Sequence, residues 1–346
     1  MSRNGMKMIV VLLLAVGIVT TAFANGQGED ADDDGAYKYV AIAKSMDNPA
    51  FQVAEQGARD RVAELDGVSL EWTAPTAADP ANMVQMIESY IQRGVDGMLI
   101  DSLGPSITTA INQAVDAGIP VVMFDSDNPE SKRTAYVGSD NYQGGYLCGE
   151  MYVKAVKGNG KQYIAILTGV PGALNLQERD KGFKEALNDA GVDYEIVVTV
   201  PGNDDLTQSV EAVENTLRGN EKINGFFFDG PWPLLVDSSN LPLMMEKTAA
   251  GELTVVSFDT LQQELAYVAD GTVIGLVGQK YYGWGYHGLT VLHEIVANGA
   301  KYPEIVNTGV DIVTKDGTGD AFTVEEFNKF WDNFSFNEKP IMPEDL

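Results

Sequence analysis

The chain has 346 residues, with 50 acidic against 23 basic side chains and a formal net charge of −27. That excess repels phosphate backbones and excludes nucleic-acid binding; it reads instead as a solvated surface of the kind that suits a high-salt habitat. A single cysteine, Cys148, excludes an internal disulfide, so burial alone must stabilise the fold.

At the N-terminus Arg3 and Lys7 precede an apolar run from Met8 to Val19, and small residues end in Ala22-Phe23-Ala24. Charge, apolar run and small residues in that order predict a secretory signal peptide over 1–24. The run is too short to anchor a membrane, because about 12 residues at ~1.5 Å each fall well short of a ~30 Å hydrocarbon core. The mature protein is expected to be soluble and periplasmic or extracellular. Residues 25–36, with Glu29, Asp30, Asp32, Asp33 and Asp34, predict an acidic linker. Asp30, Asp32, Asp34 and Gly35 imitate the start of a calcium loop, but the closing position of such a loop is Ala41, which has no carboxylate. No metal is expected.

From Tyr39 onward short β-branched runs alternate with amphipathic stretches, the pattern of parallel sheets with helical crossovers. The spacing predicts strands at Tyr39–Lys44, Val68–Trp72, Gly97–Ile100 and Pro120–Phe124, with helices at Ala50–Leu65, Pro80–Gln92 and Ser106–Ala117. In the second helix Asp79 can cap, Pro80 suits the first turn, Met83, Ile87 and Ile91 form a stripe, and Gly94 follows the end. A second series follows Val137: helix Tyr142–Lys157, strand Tyr163–Leu167, helix Asn175–Asp189, strand Glu195–Val200, helix Leu206–Leu217, then strands Gly225–Phe228, Thr254–Phe258 and Ile274–Val277. A long helix Tyr282–Ala297 and a strand near Asn307–Val313 come after that series is complete.

Two such series predict an α/β protein of two doubly wound parallel-sheet lobes joined by a hinge of several crossings. One lobe is 37–138 plus 280–310, the other 139–279 plus 311–316. The remainder, 317–346, is an extension in which Thr323 and Glu326 make a capping box and Phe327, Phe330, Trp331 and Phe334 line one face of a short helix.

Open parallel sheets bind ligands beyond the carboxyl ends of their strands. The residues there are Asp47 and Asn48, Asp101, Asp125 and Asp127 in the first lobe, and Asn175, Arg179, Asp204, Asp205, Asp229, Trp232, Asp259 and Gln279 in the second. Carboxylates accept pairs of hydroxyl hydrogens, amides donate and accept, a guanidinium donates to ring or hydroxyl oxygens, and an aromatic face covers C–H surface. That set suits a sugar or polyol. Each Asp or Asn also has a structural alternative, since such residues cap the next helix. A surface ion pair would explain Arg179 and ordinary core packing Phe51.

Five segments then identify a relationship. Met46-Asp47-Asn48-Pro49-Ala50-Phe51, Val122-Met123-Phe124-Asp125, Gln177-Glu178-Arg179-Asp180-Lys181-Gly182-Phe183, Val255-Val256-Ser257-Phe258-Asp259 and Val277-Gly278-Gln279 resemble, in family order, the ribose-type periplasmic sugar-binding proteins. The likeness runs from about Tyr37 to Asp316. It implies a type I periplasmic binding fold with hinge crossings near Ser139, Lys280 and Asp311, and a ligand held by Asn48, Phe51, Asp125, Arg179, Asp259 and Gln279. Asp101 stands where the ribose binders carry Asn. Ala50 replaces a second stacking aromatic, Ser126 an Arg, and Asp229-Gly230-Pro231-Trp232-Pro233 a polar segment. These departures argue against ribose itself and leave aldopentose, hexose, sugar alcohol and autoinducer-like furanose open.

The resemblance implies an ABC-type permease in the membrane as partner. The alternative is a sensory receptor that presents its ligand to a chemoreceptor or sensor kinase. Asp125 and Asp259 could in principle serve a glycosidase, but His287 and His293 lie inside a helix, and no nucleophile elbow, metal cluster or phosphate loop is present. Neither catalysis nor a cofactor is expected.

Overall fold

The computed structural model describes residues 37–46, 48–333 and 339–346. The leader, the acidic linker, Asp47 and Phe334 lie outside the described residues. The chain opens with β1 (Tyr37–Ile42), α1 (Pro49–Ala63), β2 (Val68–Thr73), α2 (Pro80–Arg93), β3 (Gly97–Asp101), α3 (Thr108–Asp116), β4 (Val121–Phe124) and β5 (Ala135–Gly138). It continues through α4 (Asn141–Val156), β6 (Gln162–Thr168), α5 (Leu174–Asp189), β7 (Tyr194–Pro201), α6 (Leu206–Gly219), β8 (Gly225–Phe228), α7 (Pro242–Ala249), β9 (Thr254–Phe258), α8 (Leu265–Asp270) and β10 (Gly275–Gln279). Last come α9 (Tyr281–Asn298), β11 (Ile305–Asn307), β12 (Val310–Thr314), β13 (Phe322–Thr323) and α10 (Val324–Asn333).

Two sheets result, ordered β11-β5-β4-β3-β1-β2 and β13-β12-β10-β9-β8-β6-β7. Side-chain alternation shows why each is covered on both faces. Val40, Ile42, Met98, Ile100, Val121 and Met123 meet the stripes of α2 and α3, while Tyr39, Ala41, Leu99, Val122 and Phe124 face the opposite way, toward α1 and α9. In the second sheet Ile164, Ile166, Phe227 and Val256 pack under α4 and α5. The start of α2 is built as expected: Asp79 accepts from Ala81 N at 2.9 Å, and Gly94 ends the helix at φ +68°.

Several elements differ from expectation. The strands β5 and β13 and the short helices α7 and α8 are not among the predicted elements, and the strand expected near Asn307–Val313 is two strands in different sheets. β11 pairs in parallel with β5, whereas β12 runs antiparallel to β10. The chain changes sheet at Thr308-Gly309, where Ser139 Oγ donates to Gly309 O at 2.9 Å. Asp311 is therefore already inside a strand, and the third crossing lies just before it.

Tight helix pairs fix the layers. A Cβ at Gly57 would overlap Tyr282 O, and one at Gly285 would overlap Ala54 O, so α1 and α9 touch backbone to backbone. Gly145 and Gly182 do the same for α4 and α5, against the carbonyls of Arg179 and Tyr142.

Candidate functional site

Where the strand ends of the two lobes face each other, a small cavity remains between them. Asn48, Phe51, Asp125, Asn175, Arg179, Trp232, Asp259 and Gln279 all line it. The lobes are drawn together: Ser126 Oγ of the first donates to Asn175 Oδ1 of the second at 3.2 Å, and Gly104 lies against Gly172 O.

Asp125 and Asp259 occupy matching places, one after β4 and the other after β9, and both are left-handed, with φ +54° and +86°. Non-glycine residues seldom hold such angles, which cost energy and recur where a side chain must be aimed. Fixed neighbours hold each turn. Tyr136 OH donates to Asp125 O at 2.8 Å, and Asp259 N donates to Val277 O at 2.7 Å. The Asp259 carboxylate accepts from Gln279 Nε2 at 3.1 Å and from Tyr281 OH at 2.8 Å.

Arg179 stands between these carboxylates. Its place on α5 is set by the close approach of α4 at Gly145, and four residues earlier on the same face is Asn175. Nε donates to Asn141 Oδ1 and Nη1 to Asp229 O, both at 2.9 Å, and the guanidinium covers the Phe258 ring at 3.9 Å. Its nitrogens reach only to 4.0 Å from Asp125 and 3.9 Å from Asp259, too far for hydrogen bonds. It is a buried residue, not a surface ion pair.

Of the residues named from the sequence, Asp101, Asp127, Asp205 and Asp229 do not line the cavity; Asp127 pairs with Arg133, and Asp205 caps α6 by accepting from Gln208 N at 2.7 Å. Asp101 ends β3 beneath the cavity, accepting from Ser126 N at 3.3 Å and lying 3.3 Å from Lys44 Nζ. Asp229 supports Arg179 through its carbonyl. Asn48 serves both of its readings at once, capping α1 through Ala50 N at 3.0 Å and lining the cleft.

Lys44, Asp204 and Trp284 also line the cavity. Lys44 Nζ donates to Asp125 Oδ2 at 2.7 Å. Burial would discharge it, but Asp101 and Asp125 hold its ammonium above the ordinary lysine value. Asp204, left-handed at φ +57°, is pushed by burial to a pKa of about 6, with Lys44 opposing the rise. Burial likewise raises Asp259 against the pull of Arg179, and Asp101 against that of Lys44. Trp284 packs on Phe51 and Phe124 with ring centroids 6.2 and 6.4 Å away, an aromatic surface beside the small Ala50. Only Asp204 carried a sequence signal, its place after a strand.

Arg179 Nη2, Gln279 Oε1, Trp232 Nε1 and Trp284 Nε1 are buried and have no protein partner. Buried polar atoms are normally paired, so these four stand out around the cavity. Among the described residues no group of His, Cys, Asp and Glu is placed to hold a metal.

Comparison with known proteins gives the family. Residues 39–301 match the model of the periplasmic binding protein domain family. The ribose import binding protein of Bacillus subtilis is 27% identical over 277 residues, 78% of this chain and 87% of that protein. The D-ribose/D-allose-binding protein of Pseudomonas aeruginosa is 26% identical, covering 89% and 99%. A solute-binding protein of an ABC transporter from Burkholderia graminis, solved with D-arabinose, superposes with a TM-score of 0.75 at 31% identity, over 84% of this chain and 99% of that one. The chain belongs to the periplasmic binding protein domain family, in its ribose-type branch.

Proposed function

We propose that the protein captures a neutral five- or six-carbon sugar, or its polyol, outside the cytoplasm and delivers it to an ABC-type permease. The observation that carries this reading is Arg179, suspended between Asp125 and Asp259 with Nη2 unpartnered, inside a cavity walled by Phe51, Trp232 and Trp284. Hydroxyls of one small ring would bridge the guanidinium to both carboxylates while the aromatics cover its C–H faces. Four carboxylates, Asp101, Asp125, Asp204 and Asp259, against Lys44 and Arg179 disfavour a phosphorylated or carboxylated ligand. The family is one of binding proteins rather than enzymes, and the names of the relatives, for ribose, D-allose and D-arabinose, support the sugar class.

Closure follows from contacts to both lobes, because a ligand that touches both binds the closed state preferentially. The test is a thermal-shift screen of the mature chain against pentoses, hexoses and polyols, with sugar phosphates alongside. A sugar at 100 times its Kd is expected to add about 2.7 kcal/mol. Silence toward every neutral polyhydroxylated compound, or a response confined to sugar phosphates, would overturn the reading.

A further inference from the structure

Pairing the charges around the cleft leaves one carboxylate over. Lys44 is shared by Asp125 at 2.7 Å and Asp101 at 3.3 Å. Arg179 gives Nε and Nη1 to Asn141 and to Asp229 O, and the guanidinium lies between Asp125 and Asp259. Asp259 also accepts from Gln279 and Tyr281. Asp204 has no such company. It lines the cavity, forms no ion pair with either cation, and among the described residues no donor hydrogen-bonds its carboxylate. Gln279, 4% exposed, leaves Oε1 unpartnered as a further acceptor in the same cavity.

The position of Asp204 is nonetheless fixed. Gly202 N donates to Thr168 O at 2.7 Å and Asn203 N to Gly169 O at 3.3 Å, tying the loop after β7 to the end of β6, while Asp205 caps α6. Between these anchors Asn203 and Asp204 are both left-handed, at φ +55° and +57°. Two consecutive non-glycine residues in that region cost energy, and such turns persist where a side chain has to be aimed. A Cβ on Gly169 would overlap both Asp204 Oδ1 and the Trp232 ring, so carboxylate and indole stand side by side on the cavity wall.

A carboxylate in such a place without a counter-charge is held at a cost, which a cation arriving with the ligand would offset. A pair of neutral hydroxyls would satisfy its hydrogen bonds. Only an ammonium also supplies charge, and an aromatic ring alongside suits that group as well. Because an ammonium is close in size to the hydroxyl it replaces, the rest of the ring can keep its contacts with Arg179, Asp125 and Asp259. We propose that the cleft takes an aminodeoxy sugar or amino-polyol in preference to its fully hydroxylated parent, with the ammonium seated against Asp204 beside Trp232. The inference rests on the sugar reading above and extends it from the neutral ring to its aminated counterpart.

The test is titration calorimetry of the mature chain with pentoses, hexoses and inositols, each beside analogues that carry an amine at each ring carbon in turn. At least one analogue is expected to bind about tenfold more tightly than its parent, the difference between a charged and a neutral hydrogen bond. In Asp204→Asn, whose side chain tolerates the left-handed turn, that ratio should fall to about one. Should the variant fail to fold, counting protons in the wild type carries the test. With a neutral ligand the closed cleft leaves Asp204 at its raised pKa of about 6, whereas an ammonium against it brings the carboxyl back down. At pH 6 the amine complex should therefore hold about half a proton fewer than the parent's, read from buffers of different ionisation enthalpy. Equal proton counts, or a preference that survives in Asp204→Asn, would overturn the assignment to Asp204. Parents that bind as well as or better than all their amines would overturn the proposal and leave the neutral-sugar reading intact. Amines that bind where no parent does would do the reverse, and silence toward both series would overturn both.

Discussion

Each half of the cleft presents a carboxylate in a left-handed turn directly after a strand, Asp125 and Asp259, but the two halves bury that carboxylate differently. In the first lobe Asp125 is paired with an ammonium, Lys44 at 2.7 Å, which Asp101 shares at 3.3 Å. In the second, Asp259 has neutral donors, Gln279 and Tyr281, and a guanidinium that stays 3.9 Å away. A buried charge with a close counter-ion is compensated, and breaking that pair destabilises the fold, whereas a charge without one is a cost the fold carries for another purpose. The first half is therefore close to self-sufficient, and the second is incomplete until something bridges Arg179 to Asp259.

The comparison breaks hardest at Arg179, the one cation that both carboxylates face. Arg179→Met would leave Asp259 buried without a cation and remove the central donor; breaking such a set costs about 3–5 kcal/mol. Affinity for the cognate sugar, measured by titration calorimetry, is expected to fall at least about a hundredfold. Retained affinity would mean that the site lies elsewhere.

Next in size is a difference in sign between the carboxylates. Both Asp125→Asn and Asp259→Asn should weaken binding, by about 1–3 kcal/mol for each charged hydrogen bond lost. Asn tolerates the left-handed turn in both places. The melting temperature of the unliganded protein should separate them. Asp125→Asn takes the closest counter-ion from Lys44 and lowers it; Asp259→Asn removes a charge that burial already disfavours and leaves it unchanged or raised. Equal destabilisation by the two would refute the asymmetry.

Backbone packing gives a smaller contrast. Gly145→Ala forces a methyl onto Arg179 O, and Gly285→Ala forces one onto Ala54 O. Each overpacks a helix pair at about 1–3 kcal/mol, seen as a lower melting temperature. Only Gly145→Ala moves the helix that carries Asn175 and Arg179, so it should lose more affinity than Gly285→Ala.

What could be read from the residues, and what could not, follows from the same physics. Alternation and capping signals are local, so Asp79-Pro80 and the stripes behind it were legible. The switch of sheet at Thr308-Gly309 was not, because β-branched residues lie on both sides of it and nothing local records which sheet each side joins. The strand-end rule located the cleft but not the direction of a side chain: Asp125 turns into the cavity and Asp101 lies under it, although both end strands of one sheet. Lys44 was passed over because a lysine near a loop is normally solvated, and only the two carboxylates brought from β3 and β4 make its burial tolerable. Trp284 was hidden among Tyr281, Tyr282 and Tyr286, where an aromatic that faces a ligand looks like one that fills a core.

The gentlest test uses Asp204, which the closed lobes bury near Lys44, Asp125, Arg179 and Asp259. Its pKa is about 6 in the closed form, against an ordinary value of 3.8; in an open cleft, solvated, it would return toward the latter. Between those values the closed form holds more protons than the open one. By linkage, closure is then favoured as pH falls from 7 through 6, gains further until about pH 4, and is opposed by the Asp204 charge at neutral pH. A single proton limits the effect to at most about tenfold in the closure equilibrium per pH unit. The lobe separation in the free protein, read by pulsed dipolar spectroscopy between nitroxide labels at the exposed positions Glu130→Cys and Glu221→Cys, should therefore shift toward closure on acidification. Asp204→Asn should remove the step near pH 6, whereas Asp259→Asn should leave it in place. If acid instead opened the wild-type protein, the carboxylates of the first lobe would be holding it shut through Lys44, and the asymmetry between the halves would govern closure as well as binding.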